Sequence, residues 1–437
     1  MRFASDVNFR RYVPGAVLAA ACLGLSALFV LGDASAYRGI LSQMGFRPFD
    51  FPFLDMHGVL ATAECYRRGI DVITSNPCDV YGRTLDYSPF WLVTASLGVD
   101  TSMTMRLGMA LDAVFLCSVF FLPRAESWSG VAVMIAALLS SATAMALERA
   151  NLDLAVFVIA IMAASWSRRG ATWRGLGYGF IILAALLKYY PGIMLLLALR
   201  ERRRFLVPLA AVLVAVGTLF VWIDGTMLVQ ALRNIDTRPF PTTFGALDLA
   251  DDIAQFFAPG AESLGRIVEV VLAAIATGCA YAIARRGDIR GAVRSLPPRD
   301  RNLMLLGCAL ILGCFFAAEN GPYRSIYFLF ILPGLAAMGR VVSSAAARRR
   351  LKLLVGALLF LMWDPFFRLA VEQSVAAFGL GTIYTNAYWL LRETIWWWVV
   401  SVLLALLFDA FLTASVGAQR RASARSAAST TASASIP

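Results

Sequence analysis

Four short stretches of this 437-residue chain carry the residue types that chemistry needs. Asp55 stands in an acidic, polar segment behind the first apolar run, with His57, the only histidine, two residues on. Glu148-Arg149-Ala150-Asn151-Leu152-Asp153 opens a later apolar run, and Lys188-Tyr189-Tyr190-Pro191-Gly192 interrupts another. Glu319-Asn320-Gly321-Pro322-Tyr323-Arg324 forms a tight turn between two more. A carboxylate such as Asp55, held at a bilayer surface, can take the proton from an acceptor hydroxyl as that hydroxyl attacks C1 of a sugar. Lys188, Arg324 and Arg149 are cations that could hold a phosphate, an arginine in bidentate fashion.

Each stretch also has a plainer reading. Asp is a favoured N-cap, so Asp55 could simply accept a backbone N–H at the start of the helical pattern that runs through Arg68 and stops at Gly69. Glu148 and Asn151 would share a helix face, and Arg149 could pair with Asp153 four residues on, giving a charge-satisfied helix start. Lys188 at membrane depth costs about 2.5–3.5 kcal/mol on insertion scales, so it snorkels, pairs with an acid or meets an anionic ligand. Arg324 could be a surface cap, and a lone His57 a hydrogen-bonded structural group. Tyr384, Tyr388 and Trp389, like Asp364 and Arg368, suit an interfacial belt and a span end. Several polar groups at membrane depth normally face a cavity or a site, which favours the chemical reading of the 148–153 stretch.

The elements that must position these groups are membrane helices. The chain is 59% hydrophobic and 15% charged, with a mean hydropathy of +0.70, values that indicate a polytopic membrane protein. Apolar runs fall near 13–32, 102–122, 128–147, 151–166, 205–223, 266–284, 302–318, 323–340, 351–367 and 393–413. Two shorter ones, 174–187 and 190–199, flank Pro191-Gly192 and read as a broken hairpin that returns to the side from which it enters. About twelve transmembrane segments are expected. Arg2, Arg10 and Arg11 precede the first run, which is read as a retained helix and not a signal peptide.

The net charge of +11 does not point to nucleic acid. Most lysines and arginines cluster in short turns on one side, the positive-inside pattern. Both termini are then cytoplasmic, and external stretches lie at about 33–101, 224–265 and 368–392. Helices lying at the membrane surface are expected after Asp55 and at about 88–98. Residues 1–417 form a single membrane domain, and the Ala/Ser/Thr-rich tail, 418–437, reads as disordered and cytoplasmic. Five of the seven cysteines fall in apolar runs; Cys65 and Cys78 share the first external stretch, where an oxidising compartment permits a disulfide. No Cys/His spacing suggests zinc. The absence of a Gly-rich phosphate loop argues against ATP-driven or cytosolic nucleotide-sugar chemistry.

These pieces together resemble the GT-C superfamily of membrane glycosyltransferases, and within it glycosyltransferase family 87, the polyprenol-phosphate-mannose-dependent mannosyltransferases. Asp55 with Ala61, Ala63, Gly69 and Asp71 is similar to the family's first-loop aspartate, small-residue helix and Gly-x-Asp turn. Tyr87-Ser88-Pro89 resembles its Tyr-Pro-Pro element, the 148–153 stretch its Glu-Arg-Gly-Asn-x-Asp, and Lys188-Tyr189-Tyr190-Pro191 its Lys-x-Tyr-Pro. The match covers roughly residues 50–200 and is topological beyond them. Ser88, Ala150 and Asn76-Pro77-Cys78-Asp79 depart from the pattern.

The resemblance implies an all-α GT-C-like bundle in the inner (plasma) membrane, with its site on the external face. It implies inverting transfer of a mannose or another hexose or pentose from a polyprenyl-phosphate donor to a lipid-linked or polysaccharide hydroxyl. Asp55 would be the base, and Lys188, Arg324 and Arg149 would hold the donor phosphate. Glu148, Asn151, Asp153, Tyr189, Tyr190 and His57 would position the acceptor or the base. No cofactor and no metal need be assumed, although a divalent cation at an aspartate stays open. The partners would be donor, acceptor and membrane lipids, with no nucleic acid. The alternative is a transporter or flippase of lipid-linked sugars, which also wants intramembrane charges and a broken helix.

Overall fold

The computed structural model describes residues 2–167, 169–234, 243–247, 249, 262–376 and 384–409. The expected tail at 418–437 and half of the 224–265 stretch lie outside the described residues, as does part of 368–392. Among the described residues the chain is helical, with only an isolated antiparallel bridge between Phe244 and Asn320.

In chain order the helices are α1 (Arg2–Val30), α2 (Ala34–Gln43) and α3 (Leu54–Arg67), then α4 (Thr104–Val119), α5 (Trp128–Leu138) and α6 (Ser141–Glu148). Next come α7 (Asp153–Trp166), α8 (Ala171–Leu187), α9 (Arg203–Arg233), α10 (Glu262–Ala284) and α11 (Gly287–Ser295). α12 (Pro298–Ala317), α13 (Phe328–Val341), α14 (Ala345–Met362), α15 (Asp364–Ala376) and a last helix, α16, over 384–409 complete the bundle. Short 3-10 helices occupy Pro89–Leu97, Tyr190–Arg200 and Pro322–Tyr327.

Among the described residues seven helices are long and apolar enough to cross a membrane, so the protein is membrane-embedded. Two bent pairs, α5 with α6 and α14 with α15, break by 45° and 71°, and α7, α8 and the Tyr190–Arg200 segment are shorter apolar helices. The apolar window of α12 is 78% buried and that of Pro322–Val341 67%, whereas those of α9 and α1 are only 6% and 17% buried. α12 and α13 are therefore the centre of the bundle, and α1 and α9 leave most of their surface to lipid.

The pair α8 and Tyr190–Arg200 folds back as a hairpin. Arg174 and Tyr178, early in α8, both meet Glu201 just past the 3-10 segment, Arg174 at 2.7 Å. Lys188, the C-cap of α8, is extended (φ −142°, ψ 127°), and Pro191 follows. Pro191 falls in the first turn of the following 3-10 segment, where its missing N–H leaves no bond unmade, so the chain ends α8 at the extended Lys188 and restarts there. At the end far from the hairpin tip, Arg10 and Arg11 reach the Glu126 and Phe120 carbonyls, Arg340 pairs with Glu126, and Arg200 binds Asn302.

Asp55 is not the cap of its helix. The N-cap of α3 is Phe53, in the left-handed region (φ 71°), with no side-chain cap bond, and Asp55 lies within the first turn. The N–H groups of Asp55 and Met56 donate instead to the Arg149 carbonyl, at 3.1 and 3.4 Å, and that of Phe53 to the Glu148 carbonyl. Tertiary contact replaces local capping, and the carboxylate is released for other partners.

Phe53 can hold this conformation because its ring lies against Gly108 of α4, where a Cβ would come 2.4 Å from the ring. Gly108→Ala should therefore displace Phe53 and cost about 1–3 kcal/mol, the usual range for overpacking. Gly179→Ala, whose Cβ meets nothing within 4 Å, is the control and should be neutral or mildly stabilising. Thermal unfolding of the two purified variants in detergent reads the difference, and equal midpoints would refute the packing account.

Candidate functional site

The tip of the α8 hairpin, the α6–α7 turn and the start of α3 converge. α6 ends at Glu148, and Ala150 turns the chain with φ 43°, a left-handed conformation that costs a non-glycine residue about 1–2 kcal/mol. The turn removes helical geometry between 148 and 153, so the expected Arg149–Asp153 pair does not form, and Glu148 and Asn151 do not share a helix face. Asn151, fully buried, instead projects between two charges. Its amide nitrogen donates to Asp55 Oδ2 at 2.6 Å, and its amide oxygen accepts from Lys188 Nζ at 3.0 Å and from the Asp153 N–H at 2.9 Å. A carboxylate on one side and an ammonium on the other fix which way the amide points.

Asp153, with no exposed surface, is the hub. It accepts from Lys188 at 2.8 Å and from the Tyr190 hydroxyl, which also bonds Tyr327. Arg324 Nε lies 3.4 Å from its second oxygen. Lys188 is further placed over the rings of Tyr87 and Tyr323, 5.5 and 6.0 Å from their centroids, and Arg324 over Tyr190 at 5.0 Å. Asp55, Asn151, Asp153, Lys188, Tyr190 and Arg324 thus form one network, drawn from stretches up to 269 residues apart in sequence.

Reasoning from sequence missed three residues of the 69–88 loop. Arg83 grips Asp79 with two nitrogens, Nη2 at 2.8 Å and Nε at 3.0 Å, donates to the Leu54 carbonyl at 3.0 Å, and comes within 3.8 Å of Asp55. Burial alone would raise Asp79, but Arg83's hydrogen bonds and charge hold its carboxyl below the usual range. A disulfide between Cys65 and Cys78 ties this loop to the end of α3. Asp86 is exposed at the surface of the loop, with protein around it displacing much of the carboxyl's hydration. Burial pushes its carboxyl up to about 6; Arg83 pulls the other way and the Asp55 charge adds to the push. An Asp–Arg pair four residues apart, and a carboxylate immediately before Tyr87, were the available signals.

Other expected site residues stand apart from this network. His57 Nδ1 faces Thr104 Oγ1 at 3.3 Å, and its ring packs edge-on against Phe51. Burial pushes its pKa down, so the ring is neutral at pH 7. Tyr189 lies beside Ser88. Glu148 accepts from the Phe49 N–H at 3.4 Å and lines an apolar groove with Asp112. Arg149 lies over the Phe49 ring at 5.3 Å. No group of three metal-ligating side chains occurs among the described residues.

Two measurements probe this geometry. Lys188→Met leaves Asp153 buried with a weaker cation set and should cost about 3–5 kcal/mol, the range for removing one partner of a buried pair; an unchanged unfolding midpoint would refute the hub. For Asp86, a folded-state pKa above the ordinary 3.8 means its contribution to stability is fully present below pH 3.8 and is lost as pH rises through about 6. The unfolding midpoint of Asp86→Asn should therefore gain on wild type between pH 4 and 7, and a constant difference across that window would contradict the raised pKa.

Compared with protein-family models, curated proteins and solved structures, the chain matches none.

Proposed function

We propose that this chain is a membrane glycosyltransferase that uses a polyprenyl-phosphate sugar as donor and a lipid-linked or glycan hydroxyl as acceptor. The observation that carries the reading is the Asn151 bridge, which joins the Asp55 carboxylate to the Lys188–Asp153–Arg324 cluster. That network is polarised. Lys188 and Arg324 bring two positive charges to the one negative charge of Asp153, and Asp55 stands at the opposite end as a carboxylate. A phosphodiester donor with its phosphate toward the cations would present C1 toward Asp55.

In this scheme the acceptor O–H passes its proton to Asp55 as the oxygen attacks C1 from the face opposite the phosphate. The C1–O bond to phosphate breaks, the anomeric centre inverts, and polyprenyl phosphate leaves with the bonding pair. Lys188 and Arg324 offset the charge that develops on the phosphate. Asn151 holds Asp55 at fixed distance from that charge, and Tyr190 and Asp153 orient Lys188. Glu148 and His57, away from the network, shape the walls around it. Asp86 adds a second carboxyl beside Asp55.

The arginine-rich end of the bundle fits the cytoplasm, with twelve segments, both termini inside, and the Asp55 end on the external face of the inner membrane. The Cys65–Cys78 disulfide, in the same loop as Arg83, supports an oxidising environment for that end. The rival reading, a flippase of lipid-linked sugars, draws on the buried cations at the broken hairpin. It requires no proton acceptor, and so predicts that Asp55 tolerates an amide.

Asp55→Asn decides between them. The amide oxygen can still accept from Asn151, so folding should survive, while the proton acceptor is lost. Turnover of a radiolabelled polyprenyl-phosphate sugar in proteoliposomes should fall by about 10²–10⁴-fold with donor KM little changed. Asp50→Asn, at an exposed carboxylate on the same loop, should retain activity. Near wild-type turnover in Asp55→Asn would remove the catalytic assignment.

A further inference from the structure

Beside the Asp55 network, but opening separately from it, lies a cavity of about 290 Å³ whose wall includes three arginines, Arg47, Arg149 and Arg368, and one carboxylate, Asp364. Its geometry follows from the loop between α2 and α3. Ser141 Oγ donates to the Met44 carbonyl, which pins the loop to α6. Gly45, at φ +85°, lies so close to Pro365 that a Cβ would come 1.8 Å from the proline carbonyl oxygen, which pins the loop to the start of α15 as well. Between these two anchors the space is framed by backbone that cannot close in upon it.

The arginines are unequally engaged. Arg368 is held by Glu372 at 3.1 Å and by the Gly45 carbonyl at 3.3 Å, yet its Nε is buried with no hydrogen-bond partner. Arg149 is the unusual one. Its side chain is 8% exposed, its Nε has no hydrogen-bond partner, and its nearest carboxylate, Glu148, stands 4.0 Å away. Phe49 supports the guanidinium from one face. Asp364, the only acid on the wall, is already occupied: it accepts from the Tyr388 hydroxyl at 2.7 Å and lies 3.7 Å from Arg392. The cavity therefore presents three guanidinium groups, of which Arg149 and Arg368 each have one glutamate neighbour outside the wall and one buried Nε without a partner, beside a carboxylate already engaged by Tyr388 and Arg392. A buried N–H without an acceptor is costly unless a ligand supplies one.

We infer that the Arg47–Arg149–Arg368 cavity is a second anion site that binds a phosphate group. The planar fork of arginine matches phosphate oxygens in a way that a buried lysine does not. This assignment stands on the cavity and its unpaired donors and holds whether or not the chain transfers sugars. The neighbouring wall says which form of phosphate suits it. Met44 and Glu148 line the apolar groove between α1, α2 and α4, while the next residues in sequence, Gly45 and Arg149, line the arginine cavity. A phosphate attached to an apolar chain can thus place its head on the arginines and its chain toward the groove, whereas free phosphate or diphosphate uses the arginines alone.

The test is direct binding to the purified, detergent-solubilised full-length protein, with two probes: inorganic pyrophosphate and farnesyl phosphate, titrated by isothermal calorimetry. Wild type should bind farnesyl phosphate, and Arg149→Gln should weaken that binding roughly tenfold to hundredfold, as expected for losing a charged hydrogen bond. Arg47→Gln, at an exposed position, should weaken it less but measurably, so the inference remains testable should Arg149→Gln misfold. Arg106→Gln, an exposed arginine on α4 outside the cavity, should bind as wild type does. Binding of both probes with the same arginine dependence supports a headgroup site open to either source; binding of farnesyl phosphate alone supports a lipid phosphate, and of pyrophosphate alone a free anion. Failure of both probes to bind wild type, or affinities unchanged in Arg47→Gln and Arg149→Gln, overturns the site. Because the readout is binding, loss of sugar transfer with intact phosphate binding would sink only the transferase reading.

Discussion

The architecture of this end of the protein depends on one buried carboxylate. Asp153 has no contact with solvent and faces two cations, Lys188 and Arg324, with Tyr190 completing its partners. Without it, both cations would stand unpaired in a low-dielectric interior, where an uncompensated charge costs several kcal/mol. With it, the tip of the hairpin, the head of α7 and the start of the Pro322–Tyr327 turn are held at one point. Such a cluster is weak evidence for stability, since an apolar replacement of similar volume often does as well. It is better evidence for a site, because the charges persist in a membrane protein that could have dispensed with them.

The same logic explains why Asp55 is available. A carboxylate in the first turn of a helix ordinarily spends itself on local N–H groups or on the helix dipole. Here the carbonyls of Glu148 and Arg149 take the N–H groups of Phe53, Asp55 and Met56. The α6–α7 turn thereby does two jobs at once. Its backbone caps α3, and its Asn151 side chain links the freed carboxylate to the Lys188 end. The left-handed Ala150 is the backbone cost of directing both in the same turn. Arg149 extends the arrangement outward, with its carbonyl on α3 and its guanidinium in the arginine cavity.

The 69–88 loop gives the site its outer wall. The disulfide and the Asp79–Arg83 pair stiffen a segment that has no regular secondary structure, and stiffness there matters because Arg83 and Asp86 both act on Asp55 through space. One supplies positive charge near it; the other holds a carboxyl whose ionisation is deferred by burial.

Much of this could be read from the chain alone. Among the described residues, seven of the apolar runs are helices long enough to cross a membrane, two more are bent helix pairs, and three are shorter apolar helices, because a sustained excess of apolar side chains in a bilayer must satisfy its backbone internally. The break at Lys188-Tyr189-Tyr190-Pro191 was equally legible, from the proline and glycine that follow it. The grouping of Asp55 with Asn151, Asp153 and Lys188 was an expectation drawn from the resemblance of these short motifs to a family pattern. What the sequence could not decide was pairing. Arg149 and Asp153 have the spacing of a helical ion pair, and only the turn at Ala150 separates them. Asp55 has the residue type of a cap, and only the approach of the α6 carbonyls relieves it of that task. The Arg83 and Asp86 contacts, and the convergence of Arg47, Arg149 and Arg368 on one cavity, join residues as much as 321 positions apart. Helix formation in a membrane is settled by local composition, whereas the partner of a buried charge is settled by whichever opposite charge the packing of distant helices brings within reach.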